Sequence, residues 1–129
     1  MNIKSLVLLA AVSFLRAPSA EARARLQQSS PAKGATLELP PEEVTARFSE
    51  TLDLKLCRLS AKDADSGSIV STGELTNVGE DPKTLRIALK ELPRNGTHRY
   101  RVNWQAAAEH ARKAQGSFTF SVGSAKPFD

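Results

Sequence analysis

The chain has 129 residues, with 18 Lys and Arg against 14 Asp and Glu and a formal charge of +4. Charges of both signs are scattered along it, so no basic block of the kind that recruits nucleic acid stands out. A lone cysteine, Cys57, excludes an internal disulfide, and stability has to come from a hydrophobic core.

The first 22 residues read as an export signal. Met1-Asn2-Ile3-Lys4 supplies a positive start, Leu6 to Leu15 an apolar run, and Ala20-Glu21-Ala22 small residues where a signal peptidase reads. An apolar run of about ten residues is too short to cross a bilayer of roughly 30 Å as a helix. Cleavage after Ala22 is expected, with Ala22-Arg23-Ala24 as an alternative pattern, so the mature chain is expected to begin at Arg23. Because Lys4, Arg16 and Glu21 leave with the signal, the remaining 107 residues carry 16 basic and 13 acidic side chains. That length suits one domain. The expected division is residues 1–22 as signal peptide, 23–123 as the domain and 124–129 as a loose tail.

Within the domain the dominant period is two. Val44 to Phe48, Leu54 to Leu59, Leu85 to Leu89, Tyr100 to Trp104 and Phe118 to Val122 alternate apolar with polar residues, as strands with one face on a core do. Turn formers separate them at Pro40-Pro41, Asp65-Ser66-Gly67, Gly79-Glu80-Asp81-Pro82 and Pro93-Arg94-Asn95-Gly96. The expected fold is an all-β, immunoglobulin-like Greek-key sandwich of about seven strands. Gln105 to Gln115 is rich in Ala and charge but lacks an apolar stripe, and reads as a loop. Trp104 and Phe118 are expected in the core, on strands facing each other across the sandwich. Cys57, in the alternating run Leu54 to Leu59, reads as an inert buried thiol.

No catalytic arrangement is visible. The chain has two histidines, His98 and His110, no nucleophile turn, no phosphate-binding Gly-rich loop and no zinc-ligand spacing. His98 reads as an exposed hairpin residue. His110 lies among Glu109, Arg112 and Lys113, where a solvated loop histidine and a metal ligand are both open readings.

Three motifs carry a family resemblance: Ala24-Arg25-Leu26 with Ser29-Ser30-Pro31-Ala32-Lys33-Gly34, then Tyr100-Arg101-Val102-Asn103-Trp104, then Gly116-Ser117-Phe118-Thr119-Phe120. Their order and spacing resemble the CopC family of periplasmic copper-resistance proteins. The resemblance implies a β-sandwich that carries copper outside the cytoplasm, a monomer rather than an enzyme, whose partners are a copper ion and a copper-handling membrane protein. It also implies a Cu(II) site built from an N-terminal histidine and an Asp-x-His pair.

At those positions this chain has Arg23, His110 and Arg112. A tetragonal Cu(II) ion prefers nitrogen and oxygen donors, whereas a guanidinium stays protonated and has no lone pair to offer. The remaining donors are the α-amine of Arg23, the His110 ring and Glu109, so weakened Cu(II) binding is expected. The only methionine, Met1, leaves with the signal, so no Cu(I) thioether site is expected. An alternative reading keeps the sandwich as a metal-independent interaction or anion-binding module, with Arg23, His110 and Arg112 forming a cationic patch for a carboxylate or phosphate.

Overall fold

The computed structural model describes residues 23–108 and 112–123, so the expected signal peptide, the tail and residues 109–111 lie outside the described residues. Eight strands follow in order: β1 (Leu26–Ser30), β2 (Thr36–Leu37), β3 (Glu43–Phe48), β4 (Arg58–Asp63), β5 (Ser71–Val78), β6 (Asp81–Leu89), β7 (His98–Ala106) and β8 (Ala114–Val122). They form two four-stranded sheets, ordered β1-β3-β6-β5 and β2-β8-β7-β4. With β2 set aside, this is the four-plus-three strand order of a constant-type immunoglobulin domain. The two-residue β2 joins the edge of β8 in parallel, through Thr36 opposite Ser121 and Leu37 opposite Val122.

The Ser29 to Gly34 motif is the step from one sheet to the other. The Ser29 hydroxyl donates to the Pro31 carbonyl at 2.9 Å. Gly34 takes φ +77°, which a Cβ disfavours, and its N–H donates to the Thr119 carbonyl of β8 at 2.7 Å. Start and end of the domain are thereby tied together.

Several elements depart from the pattern of alternation. Leu54–Leu56 forms a single 3-10 turn, capped by the Asp53 carboxylate accepting from the Lys55 N–H, and β4 begins only at Arg58. The reason lies in the chain path. Here the backbone crosses between sheets, with Leu52 N–H bonded to the Pro82 carbonyl and Asp53 N–H to the Ala107 carbonyl, so the run cannot continue as a strand. Asp81 and Pro82 open β6 instead of completing the preceding turn. β1 and β5 are edge strands with mainly exposed or half-buried residues, and one buried face is what an alternation count detects. The Gln105 to Gln115 stretch loses both its ends to strands: Gln105 and Ala106 finish β7, and Ala114 and Gln115 start β8.

The core lies between the sheets, with Val44, Ala46 and Phe48 of β3 and Leu85, Ile87 and Leu89 of β6 on one side. Opposite them, β7 and β8 form a register in which Tyr100 faces Phe120, Val102 faces Phe118 and Trp104 faces Gly116. Trp104 and Phe118 are therefore on adjacent strands of one sheet, not on strands facing each other across the sandwich. Phe118 is buried and Trp104 is partly buried against the core. The aromatic that meets Trp104 across the sandwich is Phe48, edge to face at 5.1 Å between centroids. Gly116 is where it is because the indole covers it: a Cβ added there would sit 2.7 Å from Trp104 Cζ2.

Replacing Trp104 by Ala is expected to cost about 2–3 kcal/mol, below the ~3–5 kcal/mol of a fully buried aromatic because its ring is partly exposed. Gly116→Ala should displace the indole and shift the emission of this single tryptophan. Unchanged emission and an unchanged unfolding midpoint in Gly116→Ala would show that the ring does not rest on that glycine.

Candidate metal site

One end of the sandwich collects the segments that the family resemblance singled out. β1 starts there, with Leu26 opposite Phe48 at the end of β3, and β4 starts there, with Arg58 opposite Gln105 near the end of β7. The Arg25 N–H donates to Ser49 Oγ at 2.9 Å and the Ser49 N–H to the Arg25 carbonyl at 3.0 Å, clamping the domain's first residues onto the β3–β4 connection. That connection is in turn bonded to the base of the β7–β8 loop through Asp53 and Ala107. Arg23 and Arg112 consequently lie at the same end, and both side chains are exposed. Ala24, Ala106 and Ala107 are buried beside them, so the backbone leading to each position is anchored.

His110 and Glu109 lie outside the described residues. The strands that carry their loop are described, and both open toward this end. Among the described residues no three His, Cys, Asp or Glu side chains converge as a metal cluster. His98 stands at the opposite end of β7, a nine-residue strand that spans roughly 30 Å. It starts that strand half-buried, with Nε2 2.9 Å from the Asn95 carbonyl and its ring against Tyr100, so it is not the exposed hairpin residue expected.

Cys57 is buried, as expected, but its neighbours were not legible in the sequence. It follows the 3-10 turn, and its Sγ lies 3.3 Å from the Asp53 carbonyl, 3.6 Å from the Ala107 carbonyl and 3.5 Å from the Ala107 N–H. Placing Cys57 in a strand hid this contact with the root of the β7–β8 loop. Burial is the main cause that pushes its thiol pKa up, Asp53 adds to the effect, and the Ala107 N–H opposes it. A thiol held protonated is a poor nucleophile and a poor metal ligand.

The architecture is that of a small immunoglobulin-like β-sandwich domain whose first described residues and the β7–β8 connection share one end. The family is shown by sequence: a CopC domain matches residues 26–123, and the chain belongs to the CopC family. It is 29% identical to copper resistance protein C of Pseudomonas syringae pv. tomato over 126 residues, covering 95% of this chain and 98% of that one. It is also 29% identical to protein YobA of Escherichia coli strain K12 over 105 residues, 81% of this chain and 82% of that one. Among solved structures, PcoC, a methionine-rich copper resistance protein from Escherichia coli, aligns with TM-score 0.67 and 28% identity, over 78% of this chain and 98% of that one. CopC from Methylosinus trichosporium OB3b aligns with TM-score 0.68 at 19% identity, over 82% of this chain and 99% of that one, a likeness of fold.

The setting of Cys57 predicts slow chemistry. Ellman's reagent at pH 8 should label it at least a hundredfold more slowly in the folded protein than in denaturant, because labelling requires local opening. Its folded pKa is raised, so its contribution to stability is complete below the unfolded thiol's pKa and is lost as pH rises through the folded value. Labelling at equal rates in both states would contradict the burial.

Proposed function

We propose that this protein handles copper as cargo in the periplasm, as a non-enzymatic CopC-type carrier whose Cu(II) coordination is weakened at the family's own positions. The carrying observation is that the anchored ends of the candidate site present guanidiniums, Arg23 and Arg112, where the family resemblance implies histidines. The donors left in this reading are the α-amine of Arg23, His110 and Glu109. Family membership supports the copper role, and the sequence motif at residues 1–22 supports export.

Donor chemistry decides the strength. Each arginine omits a lone pair and also places a unit charge beside the divalent ion, a repulsion of about 8 kcal/mol at 4 Å for an effective dielectric of ~20. A Cu(I) thioether site finds no ligands, since Met1 is the only methionine of this chain, whereas its relative PcoC is described as methionine-rich. A second reading has one specific observation in its favour: Arg23 and Arg112 are both exposed at the same end, as a carboxylate- or phosphate-binding patch requires.

Calorimetric titration of protein beginning at Arg23 separates the two. Restoring the family donors with Arg23→His, His110→Asp and Arg112→His is expected to raise Cu(II) affinity by orders of magnitude, and His110→Ala to abolish what the unaltered chain binds. If the unaltered chain takes up one Cu(II) as tightly as the triple variant, the weakened-site reading fails. Inorganic phosphate bound by the unaltered chain and lost in Arg112→Ala would favour the anion reading.

A further inference from the structure

The two outer faces of the sandwich differ in charge. On the face of β1-β3-β6-β5, cations are neutralised in place: Arg47 pairs with Asp81 and Arg86 with Glu43, the two ion pairs among the described residues. The outer face of β8-β7-β4 carries no carboxylate at any outward strand position. Strand alternation sends Arg58 and Lys62 of β4 and Arg99 and Arg101 of β7 outward together, the three arginines exposed and Lys62 partly so. Lys62 stands directly opposite Arg101 in the pairing register. Like charges directly opposed across two strands destabilise a sheet, so the fold bears a cost here that a glutamate at either position would remove.

We propose that this face is a docking surface for an acidic protein segment, engaged through Arg58, Lys62, Arg99 and Arg101. The surroundings fit directional recognition. Ser60, Asn103, Ser117 and Thr119 supply hydrogen-bonding groups between the cations, and Arg101 already donates to Ser117 Oγ at 3.2 Å. Three of the four cations are arginines, whose planar fork matches a carboxylate with two parallel bonds. An anionic lipid surface fits less well, because the outward positions of β4, β7 and β8 are all polar, exposed Ile69, bridged to Lys62 at the β4 edge, is a single small apolar insert, and four cations alone hold a membrane weakly. A nine-residue strand and three or four strand spacings make a face of roughly 400–600 Å², under the ~800 Å² per partner of a stable complex. The contact is therefore transient, fast and sensitive to salt. It does not require that the candidate site at the end of the sandwich hold copper.

Fluorescence anisotropy with a labelled octaglutamate peptide tests the surface. At low salt the unaltered chain should bind it, and Arg99→Glu with Arg101→Glu should weaken binding at least tenfold. Lys90→Glu with Arg94→Glu, the same change of charge away from this face, should weaken it less than threefold. Lys62→Thr should weaken binding while raising the unfolding midpoint, a pair of effects that a structural role alone does not produce. Should charge reversal itself lower the midpoint, Arg99→Gln with Arg101→Gln reads the same loss in a folded protein. No binding by the unaltered chain, or equal weakening by both pairs, would overturn the proposal and leave the charges as solubilising. Tighter capture by phosphatidylglycerol vesicles than by the peptide, through the same arginines, would overturn the choice of a protein partner.

Discussion

The pairing of β7 with β8 is the constraint on which the rest of the molecule depends. Tyr100 opposite Phe120, Val102 opposite Phe118 and Trp104 opposite Gly116 place one wall of the core in register, and a slip of one residue would turn every one of these side chains to solvent. Buried aromatics of this size remove about 150–250 Å² each, worth roughly 4–6 kcal/mol apiece as an upper bound. Losing the register would thus be comparable with the ~5–15 kcal/mol by which a typical domain is stable. The same pairing sets where the β7–β8 loop begins and ends. Core packing and the anchoring of the two ends of the β7–β8 connection are one structural decision.

On the proposed reading, that coupling explains how the frame can persist while the donors differ. Arg23 precedes buried Ala24, and Arg112 precedes the start of β8, so the backbone at both is held by burial and pairing while the side chains point into solvent. Changing an exposed side chain at such a position costs the fold almost nothing. Side chains at these two positions are free to vary with little penalty in stability. The opposed cations of Lys62 and Arg101 are the reverse case, a standing cost to the sheet with no structural return.

How much was legible in the sequence followed from burial. Strands with one buried face, such as Leu85 to Leu89 and Phe118 to Val122, announced themselves by alternation. β1 and β5, at the sheet edge, did not, because few of their side chains enter the core. Leu54 to Leu59 alternated for a different reason: the Asp53-capped turn and Cys57 lie at a sheet crossing, where long-range bonds to Pro82 and Ala107 override local pattern. Trp104 was recognised as a packing residue but placed against the wrong partner, since a period-two pattern says which face a residue takes and not which strand lies opposite. For the candidate site, the identities at residues 23 and 112 could be read directly, whereas their convergence at one end required the topology.

Electron paramagnetic resonance of the protein beginning at Arg23 with one equivalent of Cu(II), in the presence of a competing chelator such as nitrilotriacetate, tests the proposed weakening of the copper site most directly. With arginine at residues 23 and 112, the expected spectrum is that of the chelator complex alone. A tetragonal protein signal with splitting from several nitrogens would mean that the chain holds Cu(II) tightly through donors other than those proposed, and would contradict the weakened site.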